Sequence, residues 1–280
     1  MKTYLDCIPC FMRQALEASR LVTDDQVKIK EVLDAVARAI PEFPLDTSPP
    51  EMAGTIFNAA KTIADHPDPY KKVKDLYNQK ALGLYPDLQE EIRNAEDPLL
   101  MAIKLAIIGN IIDFGPNYRM FDIENDVQEG KKQPFAVCDY SAFQKALEKT
   151  DTILYIGDNA GEIVFDKLLI EALNKPTVFV VRDAPIINDA TMEDAIQTGM
   201  DKKATVISSG SDLPGTVPRL CSDEFNGIFN RSTCIISKGQ GNYETLSEID
   251  RPIFFLLKVK CPVIARHMGA SVGDMVLKKQ

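Results

Sequence analysis

The sequence predicts an α/β fold, with a mostly parallel sheet in the second half of the chain and a helical region before it. Three observations carry this reading. Apolar residues recur at helical spacing as far as residue 112, with no strand-like alternation of comparable strength before residue 130; beyond it, short β-branched and aromatic runs alternate with helix-length segments; and polar loops containing glycine follow those runs. With 280 residues, 45% hydrophobic and 26% charged, the chain can bury a full core and divide into two parts.

Ile8, Phe11, Met12, Ala15 and Leu16 follow an i, i+3, i+4 pattern, and residues 27–40 repeat it before Pro41. "PEFPLDTSPPE" is rich in turn formers. Thr47 or Ser48, followed by prolines and Glu51, predicts the N-cap of a helix over 52–64. Further helices are expected over 70–82, 86–95 and 97–112. The polar segment "DIENDVQEGKKQP", residues 122–134, marks a change of domain, giving a helical domain over 1–130 and an α/β domain over 131–280. Strands are expected at "TILYIG" (152–157), "TVFVVR" (177–182), "ATVISSG" (204–210), "STCIISKG" (232–239) and "IFFLLKV" (253–259).

Composition narrows the function. A net charge of −9 argues against a phosphate-backbone surface, which needs excess Lys and Arg to displace counterions, so nucleic acid is not an expected partner. Met1 to Arg20 has no apolar core of a secretory signal, and runs such as Ile253 to Leu257 are too short to span a bilayer. The expectation is a cytoplasmic protein with no membrane partner. Six cysteines are too few for a disulfide scaffold and are read as thiols. Cys7 and Cys10, spaced i, i+3 at a helix start, are expected on one face. They could bind a soft metal with Cys261 or another thiol, or simply pack as small residues.

In a parallel sheet, ligands sit at the carboxyl ends of the strands. There the sequence places Gly157-Asp158-Asn159-Ala160-Gly161-Glu162, then 182–191 with Arg182, Asp183 and Asp189, then 208–212, then Ser237-Lys238-Gly239-Gln240-Gly241-Asn242-Tyr243. Asp158, Asn159 and Asp189 are hard oxygen donors of the kind that hold Mg²⁺ or Mn²⁺, while two histidines are too few for a histidine-rich zinc site. Such an ion polarises phosphoryl oxygens and lowers the pKa of an attacking water. Lys238 offers positive charge to a phosphate, the N–H groups beside Gly239 an anion nest, and the helix after Gly161 its dipole. Taken one loop at a time, Asp158, Asn159 and Asp189 also read as helix N-caps, Lys238 as a solvated lysine, and Asn110 and Asp113 as a helix C-terminus ending near Gly115-Pro116. An alternative function is a non-hydrolytic or methyl-transferring binder of a nucleotide-like ligand such as S-adenosylmethionine. It lacks the G-x-G-x-x-G turn, and Asp158 would repel a pyrophosphate.

"GDNAGE", "RDAPIINDAT" and "SKGQGNYETL", each after a strand, together with "CIPCFMRQALEA" and "GNIIDFG", resemble the metal-dependent damage-control phosphatase family, formerly an uncharacterised domain family. The likeness is to its prokaryotic branch, with an N-terminal Cys-x-x-Cys. The resemblance implies a three-layer α/β/α domain beside an all-helical N-terminal region. It implies hydrolysis of small phosphorylated metabolites with Mn²⁺, Co²⁺, Ni²⁺ or Mg²⁺. It places the metal on Asp158, Asn159 and Asp189, sets Lys238 toward the phosphate, and lines the cleft with Asn110 and Asp113. Arg182, Gly239 and Asn242 complete the expected substrate-binding set. Glu162, where several relatives carry an apolar residue, would be a general base specific to this branch. Eukaryotic relatives carry an acidic residue where this chain has Gln240, which leaves substrate preference open.

Overall fold

The computed structural model describes residues 1–64, 67–110 and 123–280. Among them, six helices precede the first strand: α1 (Cys7–Val22), α2 (Gln26–Ala39), α3 (Pro49–Ala64), α4 (Lys71–Asn94), α5 (Pro98–Gly109) and α6 (Ile123–Lys132). Then follow β1 (Phe135–Cys138), α7 (Tyr140–Glu148), β2 (Ile153–Ile156), α8 (Glu162–Leu173), β3 (Thr177–Val181), α9 (Met192–Thr198) and β4 (Thr205–Ser208). The chain closes with α10 (Asp223–Arg231), β5 (Ile235–Lys238), α11 (Gln240–Leu246), β6 (Ile253–Lys258), α12 (Pro262–Met268) and β7 (Met275–Lys279).

Local chemistry sets several of these boundaries. Asp25 accepts the Val27 N–H at 2.9 Å and Asp97 that of Leu100 at 2.9 Å, with Pro98 in the first turn. The Ser48 hydroxyl donates to Glu51 at 2.8 Å where α3 begins. Pro86 does not divide two helices as expected but lies inside α4. An interior proline costs about 3 kcal/mol, less than the burial of Ala81, Leu88 and Ile92 in one cluster with α8, at about 1.5–3 kcal/mol for each large side chain. The polar segment before the sheet is helical. It forms α6, whose Ile123, Val127 and Gly130 are buried at helical spacing. Asp113 and the expected helix end near Gly115 lie outside the described residues.

The seven strands run in the order β1-β7-β6-β5-β2-β3-β4. The five expected strands pair in parallel, whereas β7 lies antiparallel to β6 and parallel to β1. Neither β1 nor β7 was expected from sequence. Successive strand residues enter opposite clusters: Ile153 and Tyr155 pack with α4, α5 and α8, while Leu154 and Ile156 pack with α10, α11 and α12. This alternation makes three layers, α/β/α. A further cluster binds α1, α2 and α3 and takes in Ile186 from the loop after β3. The chain runs outward from β2 through β3 to β4, then crosses to β5 on the other side of β2. The β2/β5 boundary is therefore the topological switch point, where α/β sheets bind ligands.

Candidate active site

The turn after β2 is held open by its neighbour. Asp158 accepts the Ala190 N–H through its carbonyl at 2.8 Å, and the Ala160 N–H donates to the Asn188 carbonyl at 2.8 Å. Residue 159 thus pairs antiparallel with residue 189, which brings Asn159 and Asp189 together from two loops. Helix α8 starts at Gly161, φ 76°, without a side-chain cap, and α9 is capped by Thr191 with Asp194 at its third position. Asp158, Asn159 and Asp189 cap neither helix. The approach to Asp189 is strained, since Ile187 is β-branched at φ 44°.

Asn159 Nδ2 donates at 2.8 Å both to Asp158 Oδ2 and to Glu162 Oε2. Asn110 Nδ2 donates to the same two oxygens, at 3.0 and 2.8 Å. Asn110 is thus both the C-cap of α5 and part of the polar hub, and its own Oδ1 is buried with no hydrogen-bond partner among the described residues. On the far side of Glu162, Lys238 Nζ donates to Glu162 Oε1 at 2.6 Å, Asp166 Oδ1 at 2.7 Å and the Ala106 carbonyl at 2.7 Å. Burial opposes the Lys238 charge, but Asp166 and Glu162 outweigh it and raise its pKa. The Asp158 carboxyl is pushed well above the usual range, first by burial and then by the charges of Glu162 and Asp189; Lys260 and Arg182 pull the other way.

Several expected substrate contacts are turned inward. All three Lys238 N–H groups are spent on the protein, so in this structure Lys238 faces buried carboxylates and not an open phosphate position. Arg182 holds Asp189 Oδ2 at 2.7 Å, Thr216 Oγ1 at 3.0 Å and Asn242 Oδ1 at 3.0 Å. The Asn242 amide nitrogen ties the Gly157 and Lys238 carbonyls at 3.0 and 2.8 Å. The Gly239 N–H is not available to an anion nest, because it donates to the Leu256 carbonyl at 3.2 Å. Glycine is needed at 239 for another reason: φ is 76°, and a Cβ would lie 1.9 Å from Asp158 Oδ2. Glu162, fully buried, accepts from Asn110, Asn159 and Lys238, the surroundings of a positioning carboxylate more than of a base open to water.

Sequence reasoning missed Asp166, Thr216 and Lys260. The last is half-buried, acts on the Asp158 charge, and donates its backbone N–H to Gln240 Oε1 at 3.1 Å. Its signal was a lysine just past the β6 run. Cys7, Cys10 and Cys261 are free thiols. Cys10 Sγ accepts from Arg13 and Gln14, and Cys261 Sγ from Gln240. Burial pushes the Cys7 thiol up to about 11. The Cys7 thiol interacts electrostatically with both Cys10 and Cys261. Among the described residues no group of three or more His, Cys, Asp or Glu side chains converges to hold an ion, at these thiols or at the switch point.

The donor set at the switch point is mixed, two carboxylates and amides. It fits a divalent ion by charge. Among the described residues, four buried carboxylates, Asp158, Glu162, Asp166 and Asp189, stand with two buried cations, Lys238 and Arg182, and the half-buried Lys260. This carboxylate-rich set, with the Asn110 Oδ1 beside it, suits a hard cation with oxygen ligands.

A three-layer α/β/α fold with an acidic and amide hub at its switch point defines a protein that binds its ligand on strand-end loops. The chain belongs to the damage-control phosphatase ARMT1-like domain family, whose model matches residues 3–276. It is 34% identical to a damage-control phosphatase of Pyrococcus horikoshii (99% of this chain, 97% of the relative) and 32% to one of Archaeoglobus fulgidus (97% of each). It is also 36% identical to an uncharacterised protein of Methanocaldococcus jannaschii, over 98% of this chain and 94% of the relative. The crystal structure of the Pyrococcus horikoshii family protein matches with a TM-score of 0.87 at 33% identity, covering 100% of this chain and 99% of that one. No helix among the described residues is long and apolar enough to cross a membrane.

Proposed function

We propose that the protein is a divalent-metal-dependent phosphatase acting on small phosphomonoesters, sugar phosphates or nucleotide-like metabolites, with the ion held by Asp158, Asn159 and Asp189. The observation that carries this reading is the cluster of buried carboxylates, Asp158, Glu162, Asp166 and Asp189, at the β2/β5 switch point, in a chain two of whose relatives are named damage-control phosphatases. A bound Mn²⁺, Co²⁺, Ni²⁺ or Mg²⁺ supplies Lewis acidity toward the phosphoryl group and a water of lowered pKa.

The chain's own residues do the rest. Asn110 and Asn159 orient Asp158 and Glu162 through shared hydrogen bonds, and Arg182 fixes Asp189. Lys238 pairs with both Glu162 and Asp166 in a fully buried setting, so its role is to offset their charge from beneath. Lys260, at the rim and acting on Asp158, supplies positive charge where an incoming phosphate approaches. A phosphate-release assay with each of the four ions, over a panel of sugar phosphates and nucleotides, tests the reading. Turnover with at least one ion is expected. No turnover with any ion, together with tight binding of S-adenosylmethionine, would overturn it.

A further inference from the structure

Asn78 lies in the middle of α4, completely buried, about eighty residues before the metal turn in sequence. Its Oδ1 accepts the Gly161 N–H at 2.6 Å. Its Nδ2 donates to Asp194 Oδ1 at 3.1 Å and to Gln197 Oε1 at 2.7 Å. Asp194 spends its other oxygen on the Thr191 N–H at 2.9 Å, the Thr191 hydroxyl at 2.8 Å and Lys74 Nζ at 3.0 Å. Gly161 stands two residues after Asn159, and Thr191 two residues after Asp189. One side-chain amide therefore bonds, on one side, to the turn that carries Asp158 and Asn159 and, through Asp194, to the loop that carries Asp189.

We infer that Asn78 is a positioning residue that sets the separation of the two ligand-bearing turns, so that the helical region and not the sheet alone fixes the geometry of the ion site. This rests on the function proposed above. The bland account is a tertiary cap: the first N–H groups of α8 need acceptors, and Asn78 Oδ1 supplies one. That account needs the oxygen only. It leaves unexplained why the same amide also donates to the residue that caps α9, whereas a spacer needs both ends. A planar amide with acceptor and donor on one carbon does this; Asp would lose the donor and face Asp194, and Ala would lose both ends.

The test uses the full chain, with folding checked by circular dichroism. In metal-free protein, hydrogen exchange of segments 157–162 and 188–194 is measured for wild type, Asn78→Ala and Asn78→Asp; Mn²⁺ affinity is read from the free-ion paramagnetic resonance signal. Asn78→Ala is expected to speed exchange in both segments and to weaken Mn²⁺ binding by about 10-fold or more, the scale of losing a residue that orients metal ligands. It should also lower kcat more than it raises KM for a phosphomonoester. Asn78→Asp, which keeps the acceptor, should speed exchange in 188–194 while leaving 157–162 protected, and it carries the test if the alanine variant does not fold. Acceleration by Asn78→Ala in only one segment, or Mn²⁺ affinity within about 2-fold of wild type, would overturn the inference. If wild-type protein neither binds Mn²⁺ nor releases phosphate, the proposed function fails, and coupled exchange of the two segments still decides the role of Asn78.

Discussion

Two lysines lie buried among carboxylates at this end of the sheet, and their surroundings differ. Lys74 meets Asp194 at 3.0 Å and Asp68 at 3.2 Å, and Asp194 has both oxygens occupied by α9, Asn78 and Lys74. Lys238 meets Glu162 and Asp166, yet around it Asp166 Oδ2 and Asn110 Oδ1 are buried with no hydrogen-bond partner among the described residues, and Asp158 is pushed toward its neutral form. The first network closes on itself and holds helices together. The second is over-supplied with negative charge at the point where two loops converge. Saturation marks scaffold and imbalance marks function, because folding alone gives no reason to keep a costly surplus of buried charge.

The largest effect that sharpens this contrast is expected from Asp158→Asn. Metal-dependent phosphate release should fall by about 1000-fold, the scale of losing a group that organises transition-state charge. Replacing a carboxyl whose ionisation is opposed by burial, Glu162 and Asp189 should at the same time stabilise the metal-free protein by about 1 kcal/mol in urea unfolding. Lower stability in that variant would break the comparison.

Next come the two lysines. Lys238→Met leaves Glu162 and Asp166 buried without their cation and should cost about 3–5 kcal/mol. Lys74→Met should cost less, about 1–3 kcal/mol, because Asp194 keeps its bonds from Thr191 and Asn78. Equal losses by chemical denaturation would show that the two networks do not differ.

Gly239→Ala drives a Cβ onto Asp158 from a left-handed backbone. It should cost about 1–3 kcal/mol and displace the carboxylate, so Mn²⁺ affinity falls with stability. Unchanged affinity would separate the glycine from the site.

The smallest effect concerns a buried carboxylate outside both networks. Burial pushes Glu244 up to about 7 from its ordinary 4.5, against the Gln240 amide at 2.9 Å. Between these values the folded state holds the proton more tightly than the unfolded one, so this group's contribution to stability declines as pH rises from about 4.5 to about 7 and is flat above. Glu244→Gln should flatten that decline. An unaltered slope of stability against pH would place the titration elsewhere.

The sheet's central strands and the acidic turn were legible because their signals are local. Five β-branched runs and the Asp158-Asn159 pair need no distant partner to be recognised. β7 was missed because "MVLKK" is short and ends in two lysines, and β1 because four residues in a polar stretch give no period. The polar segment at 122–134 hid α6, since only Ile123, Val127 and Gly130 mark its buried face. For Lys238, Arg182 and Asn242 the orientation was decided by partners far off in sequence, which the local pattern could not supply: the Ala106 carbonyl, Thr216 and the Gly157 carbonyl. Asn78 gave no signal at all, lying mid-helix in "DLYNQK".

The strand order has a consequence for how the protein comes into being. Asp158, Asn159 and Asp189 emerge from the ribosome well before Gly239 and Asn242, yet Gly239 walls in Asp158, and Asn242 fixes the Gly157 carbonyl. Until the chain has returned across β2 to lay down β5, the acidic turn has only one wall. On the function proposed above, an ion would have no finished seat on the growing polypeptide and would join a molecule already folded, its occupancy set by the free metal around the mature protein.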